Sequence, residues 1–233
     1  MTAPMYTRFA SEYEAAIVDN VYNAHLERPS LLSMLPELEG KSVLDLGCGP
    51  GVYAEYLMLQ GATVTATDIS TEMVEIVKNR FGGRVRSYAH DMGEGLPKEG
   101  DNSYDLVICP LAIHYLEDLS LLFADVRRVL KDDGAFVFST HHPMNDFQCS
   151  QSGNYFEREL IIEEWDTIGQ PVEVQFYRRS LTDLFRAVSA ADLYVADLYE
   201  GKPAEAMKEV SPENYEYLSR NPNFIFFKCQ PIA

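Results

Sequence analysis

The sequence predicts one α/β domain built on a parallel sheet with helices on both faces. Three observations carry that prediction. From residue 42 to residue 140, short apolar runs alternate with helical patterns, the rhythm of strands joined by helical crossovers. Glycines cluster where the first run hands over to a helix, as a close-approaching ligand would require. The 233 residues suit a single domain of this class, which reaches about 250.

Taken in order, residues 11–25 and 30–38 read as helices, the second entered through Pro29-Ser30 and ended before Gly40. SVLDLGC (42–48) is a buried-strand run that stops in glycines. GVYAEYLMLQG (51–61) sets Ala54, Leu57 and Met58 at helical spacing and closes on Gly61. ATVTATD (62–68) is the next strand, and Ser70-Thr71-Glu72 caps a helix with an apolar stripe of Met73, Val74, Ile76 and Val77. RVRSYAHD (84–91), YDLVICP (104–110), a helix at 118–130 and GAFVFST (134–140) continue the beat. Near residue 141 it breaks. Residues 154–179 hold two extended stretches around Ile168-Gly169-Gln170-Pro171, an inserted hairpin or lid. A helix at 180–191 and strands near 193–199 and 223–230 follow, the last fed by the turn Asn221-Pro222-Asn223.

Composition limits the partners. With 19 Lys+Arg against 36 Asp+Glu, the net charge of −17 repels phosphate backbones and anionic membrane surfaces. The densest basic spots, Arg127-Arg128 and Arg178-Arg179, are too sparse for a nucleic-acid footprint. No run of about 18 apolar residues could span a bilayer. Glu12, Glu14 and Asp19 stand where a signal peptide needs a basic end and an apolar core. Cys48, Cys109, Cys149 and Cys229 lie far apart without C-x-x-C spacing, which reads as reduced thiols in a cytoplasmic protein.

The strongest functional signal is Asp45-Leu46-Gly47-Cys48-Gly49-Pro50-Gly51 at a strand-to-helix handover. Asp68 ends the next strand, where a carboxylate can accept both hydroxyls of a ribose, and Asp91 ends the third, within reach of an adenine amino group. A dinucleotide fingerprint wants its third glycine at position 52, but Val52 stands there. S-adenosylmethionine needs no pyrophosphate cradle and tolerates an acidic floor such as Asp45. Val43–Gly51 resembles the first motif of class I S-adenosylmethionine-dependent methyltransferases of the small-molecule type, and Asp68 matches their second-strand acid. Ala89-His90-Asp91-Met92 resembles the adenine-facing segment, and Asp105–His114 the fourth strand with its loop. Arg128–Gly134 is similar to the family's R-x-L-K-P-G-G turn, departing at Asp132-Asp133.

That resemblance implies a Rossmann-like sheet of seven strands, mostly parallel, with the last-added strand antiparallel and the hairpin inserted after strand five. It implies one domain over 1–233: a helical cap at 1–39, a cofactor-binding core at 40–140, the lid at 141–180 and the C-terminal helix and strands at 181–233. The implied cofactor residues are Asp45, Gly47, Gly49, Gly51, Asp68, Ile69, Asp91, Met92 and Pro110, with Tyr6, Tyr22 and Arg28 closing over them. Arg28 is either a partner for the methionine carboxylate or a solvated arginine before a proline.

Methyl transfer is an in-line displacement, and the enzyme mainly positions the acceptor and excludes water. A base is needed only for a protonated acceptor. His114 after the fourth strand and His141 at the end of the fifth are the candidates, and the ordinary histidine pKa of about 6.5 suits His114 to the task. Adjacent strand residues face opposite ways, so only one of His141 and His142 can look into the site. No metal site is expected. Tyr155, Phe156, Trp165, Phe176 and Tyr177 of the insert are the underside of a lid or a substrate cage, and either suits a small molecule. The expected activity is methyl transfer from S-adenosylmethionine, yielding S-adenosylhomocysteine, to an oxygen or nitrogen of a small acceptor, by a monomer or homodimer. The rivals are a non-catalytic S-adenosylmethionine-binding protein and a nicotinamide-dependent oxidoreductase, the latter without a Tyr-x-x-x-Lys pair.

Overall fold

The computed structural model describes residues 4–232, so residues 1–3 and 233 of the expected domain lie outside it. After α1 (Ala10–Ile17), a π-helical stretch (Asn23–Glu27) runs into α2 (Arg28–Leu32). Then come β1 (Ser42–Leu46), α3 (Val52–Leu59), β2 (Thr63–Asp68), α4 (Thr71–Phe81), β3 (Arg86–Ala89), β4 (Tyr104–Cys109), α5 (Ser120–Val129) and β5 (Leu130–His141). A short α6 (Pro143–Asp146), a hairpin of β6 (Glu159–Trp165) and β7 (Val172–Arg178), α7 (Leu181–Ala190), β8 (Leu193–Tyr199), α8 (Met207–Val210), α9 (Pro212–Leu218) and β9 (Phe224–Pro231) follow.

The main sheet has seven strands in the order β3-β2-β1-β4-β5-β9-β8. β1 to β5 pair in parallel, and β9 runs antiparallel to both neighbours. This is the Rossmann-like arrangement that the resemblance implies. The order reverses direction between β1 and β4, and ligands in such sheets sit outside the strands' carboxyl ends at that switch. Successive side chains leave a strand on opposite faces. Leu44, Leu46, Val107 and Phe136 therefore pack against α5 and α7, while Val43, Leu106, Ile108 and Val137 pack against α2, α3 and α4. Phe123 of α5 is fully buried, and its truncation to alanine would cost about 3–5 kcal/mol.

Two expectations are corrected at the N-terminal end. The helix read at 11–25 breaks because Asn20 turns its side chain onto the amides of Tyr22 and Asn23 at 3.0 and 3.2 Å, restarting the helix. Pro29 has no N–H for the carbonyl of His25, which accepts from the amide of Ala204 at 2.7 Å instead. The helix read at 30–38 ends at Leu32, since Pro36 disfavours helical backbone at Leu35. α8 and α9 were missed because each is shorter than the periods that reveal a helix.

The hairpin pairs from Glu159↔Arg178 to Trp165↔Val172 as a second, two-stranded sheet. Its Val172 and Val174 bury Met5 of the N-terminal arm, with Tyr6, Tyr13, Tyr115 and Trp165 packed around them. Arm and hairpin thus meet above the end of β4.

Candidate functional site

The glycine loop turns over the end of β2, with the amides of Gly47 and Cys48 both donating to the Thr67 carbonyl at 2.8 and 3.0 Å. Gly47 has φ +69°, and a Cβ there would lie 2.5 Å from the Ala112 Cβ, so no side chain fits between the ends of β1 and β4. Gly49 has φ +52° and nothing within 4 Å of its missing Cβ. Backbone can be approached there. Gly51 begins α3.

Three carboxylates converge on this loop. Asp45 is completely buried and neither of its oxygens has a hydrogen-bond partner. Burial, then Asp68 and Glu27, push its carboxyl up to about 8. Asp68 accepts from the amides of Gly49 and Ser70, each at 2.9 Å, yet burial still raises its pKa. Glu27, also buried, accepts from the Tyr53 hydroxyl and from the Ser139 hydroxyl, each at 2.7 Å, and burial raises it to about 7.

Asp91 accepts from the Gly93 amide at 2.8 Å, and the Met92 sulfur lies 4.0 Å from that of Cys109. Ile69 is exposed and Pro110 half-buried. Leu111, next to Pro110, takes the strained φ of 46° and is held by donating to the Ser139 hydroxyl at 3.0 Å. Arg28 is half-buried and donates to the Ile17 carbonyl at 2.9 Å, whereas Tyr22 is exposed. From the arm, the Tyr6 hydroxyl meets that of Tyr115 at 2.6 Å, and Tyr13 packs edge-on against Tyr6.

The β4–β5 side is aromatic. His114 is 2% exposed; its Nδ1 lies 3.4 Å from the Thr140 hydroxyl, and its enclosed Nε2 has no partner. Its ring stacks on His141 with centroids 4.1 Å apart. Burial, reinforced by His141 and Arg179, holds His114 well below the ordinary histidine range. The expectation of a near-neutral pKa for His114 is therefore corrected. His141 also packs against Phe176 and Trp165, at 4.8 and 5.6 Å. The Nδ1 of His141 lies 3.2 Å from the buried Asp146 carboxylate. His142 points elsewhere, its Nε2 3.0 Å from Glu200, as strand alternation requires.

Sequence reasoning missed Glu27, Tyr13, Asp146 and the buried Arg179. Burial lowers Arg179 to about 10, and its guanidinium donates to the carbonyls of Ile113, Leu116 and Glu117, fixing the loop that bears His114. Glu27 had no local signal, for its partner Ser139 is 112 positions away. Asp146 carried only the faint signal of a Pro143-started helical turn after the two histidines. Among the described residues, no three His, Cys, Asp or Glu are placed to hold a metal, and no helix is long and apolar enough to cross a membrane.

Comparison with known proteins gives a consistent picture. A methyltransferase-domain family model matches residues 44–138. An uncharacterized protein of Haemophilus influenzae is 33% identical over 143 residues, covering 58% of this chain and 55% of that protein. The malonyl-(acyl-carrier protein) O-methyltransferase of Erwinia billingiae is 36% identical over 124 residues, covering 51% of this chain and 48% of that enzyme. The chain thus spans about half the length of the curated relatives it matches. Among solved structures, an S-adenosylmethionine dependent methyltransferase of Mesorhizobium loti superposes with TM-score 0.70 at 26% identity, over 87% of this chain and 96% of that one.

Proposed function

We propose, from the premise that this chain belongs to the class I S-adenosylmethionine-dependent methyltransferase superfamily, that it transfers a methyl group to an oxygen or nitrogen of a small-molecule acceptor. One observation carries the reading: an orphaned, fully buried carboxylate, Asp45, beside the glycine loop. A buried carboxylate without a partner is costly, and a positively charged ligand offsets that cost. S-adenosylmethionine fits, since its sulfonium and ammonium bring positive charge to a site holding Asp45, Asp68 and Glu27. It supplies an activated methyl when bound.

The chain's own residues do the rest. Asp68 is held by the amides of Gly49 and Ser70, with that of Ile69 also acting on it, and its remaining acceptor capacity goes to the ribose hydroxyls. Gly47 and Gly51 shape the loop, Gly49 leaves room for the ligand, Asp91 and Met92 face the adenine, and Ile69 and Pro110 flank it. Arg28 takes the methionine carboxylate, and Tyr22 stands at the rim. The Tyr6–Tyr115 hydroxyl contact and the Met5–Val172–Val174 cluster hold arm and hairpin over the chamber and exclude water. Such positioning contributes up to about 7–11 kcal/mol to a two-reactant step. For a protonated acceptor, a histidine of the His114–His141 pair takes the proton.

A small acceptor is supported by the aromatic enclosure and by a net charge of −17 that disfavours nucleic acid. An oxygen acceptor has the further support of the Erwinia relative's name. The reading includes a cytoplasmic location, for which the four free cysteines argue, a monomer or homodimer, and one domain over 1–233. The test is incubation with methyl-tritiated S-adenosylmethionine and a cell extract split by size into metabolites and macromolecules. Label is expected in an O- or N-methylated metabolite. Label confined to macromolecules overturns the small-acceptor reading, and cofactor binding without transfer to either fraction favours the non-catalytic rival.

A further inference from the structure

The two stacked histidines are not equivalent. His114 is 2% exposed, its Nδ1 faces the Thr140 hydroxyl and its Nε2 is enclosed. The side chain of His141 keeps 11% exposure. Its Nδ1 is enclosed, with an Asp146 oxygen at 3.2 Å in ion-pair range and no hydrogen bond yet completed, so that exposure lies elsewhere on the side chain. A carboxylate beside one imidazole nitrogen holds the proton there and leaves the other nitrogen's lone pair free. We infer that Asp146 is a positioning residue that makes His141 the proton acceptor for the bound small molecule, with His114 a neutral wall of the chamber. The inference rests on the methyltransferase reading and narrows its histidine pair to one base.

The surroundings favour this division. His141 meets His114 from the turn after β4, Asp146 from α6, Trp165 from β6, Phe176 from β7 and Phe224 from β9. Of these only His114 and Asp146 titrate. Farther out, Arg179 acts on both His114 and Asp146, and Cys149, hydrogen-bonded to Glu163, also acts on Asp146. The nearest opposite charge available to a protonated His141 is therefore Asp146. In the step itself, the acceptor's O–H or N–H proton passes to His141 Nε2 while its lone pair forms the bond to the methyl carbon. The former S–C electron pair stays on sulfur, Asp146 remains ionised, and His141 returns its proton to water.

The test is imidazole NMR on the full chain labelled with 13C and 15N histidine, from pH 5 to 9, assigned with His114→Gln and His141→Gln. In the neutral form His141 is expected to carry its proton on Nδ1. Asp146→Asn should lower its midpoint by at least one pH unit, a tenfold change in protonation, and Asp146→Glu should restore most of it. His114 should stay neutral across the range. An Nε2–H tautomer at His141 in the wild type, an unmoved midpoint in Asp146→Asn, or titration of His114 near pH 6–7 would overturn the inference. The tautomer is read in the wild type, so a variant that misfolds does not remove the test. Calorimetry with S-adenosylhomocysteine on the same samples keeps the two readings apart: a wild type that fails to bind it overturns the methyltransferase reading, whatever the histidines do.

Discussion

The two halves of the strand edge are built by different means. On the β1–β2 side, the candidate cofactor groups come from a nine-residue stretch, Val43–Gly51, and from Asp68, and main-chain bonds to Thr67, Gly49 and Ser70 set their positions. On the β4–β5 side, His114, His141, Asp146, Trp165 and Phe176 come from five separate elements and meet through ring packing and, for Asp146, a charge contact with His141. Backbone geometry tolerates few substitutions. Packed rings tolerate exchange if volume is kept.

The largest effect is expected at Gly47. A valine there must hold φ +69° and place its Cβ 2.5 Å from that of Ala112, so Gly47→Val should cost about 3 kcal/mol or more. Thermal unfolding should show it, together with loss of S-adenosylhomocysteine binding. Wild-type values for both would mean that the loop tolerates a side chain. Next comes Asp68→Ala, which on the proposed reading removes two ribose bonds worth about 1.5–3 kcal/mol each. Affinity measured by calorimetry should fall by about two to four orders of magnitude, with Asp68→Asn in between. Unchanged affinity would leave Asp68 serving only the amides of Gly49 and Ser70.

The cofactor half should also make stability depend on pH. Asp45 is raised from 3.8 to about 8 and Glu27 from 4.5 to about 7, so the unfolded chain ionises them first. Their contribution is full below about pH 4 and is lost as pH rises through 7 and 8. Urea unfolding should show a marked loss between about pH 5 and 8.5, and Asp45→Asn should remove the larger part. A flat profile in the wild type would mean that Asp45 is solvated or partnered in solution. The smallest effect belongs to the acceptor half: His114→Ala should leave S-adenosylhomocysteine affinity within about threefold, since the ring's contacts are with Thr140, His141, Tyr115 and Phe176. A tenfold loss would place His114 against the cofactor and erase the division.

The same division explains what could be read in advance. Asp45, Gly47 and Asp68 announce themselves because a turn at the end of a strand demands particular residues within a few positions. The alternation of β1 to β5 is equally local. Glu27 and Asp146 are legible only once Ser139 and His141 have been brought to them, by contacts that no local pattern encodes. His114 was found by position, but its depressed pKa depends on burial under His141 and near Arg179, which only the packed structure supplies. The N-terminal helices failed for a local reason, since Asn20 and Pro36 outweigh an apolar periodicity that continues through them.

The central claim is that the β1–β2 half is built for S-adenosylmethionine and its product. Calorimetric titration of the purified wild-type chain with S-adenosylhomocysteine and, separately, with NAD tests it most directly. The account predicts saturable one-to-one binding of S-adenosylhomocysteine and no measurable binding of NAD at the same concentrations. Tighter binding of NAD, or no binding of S-adenosylhomocysteine, would contradict it.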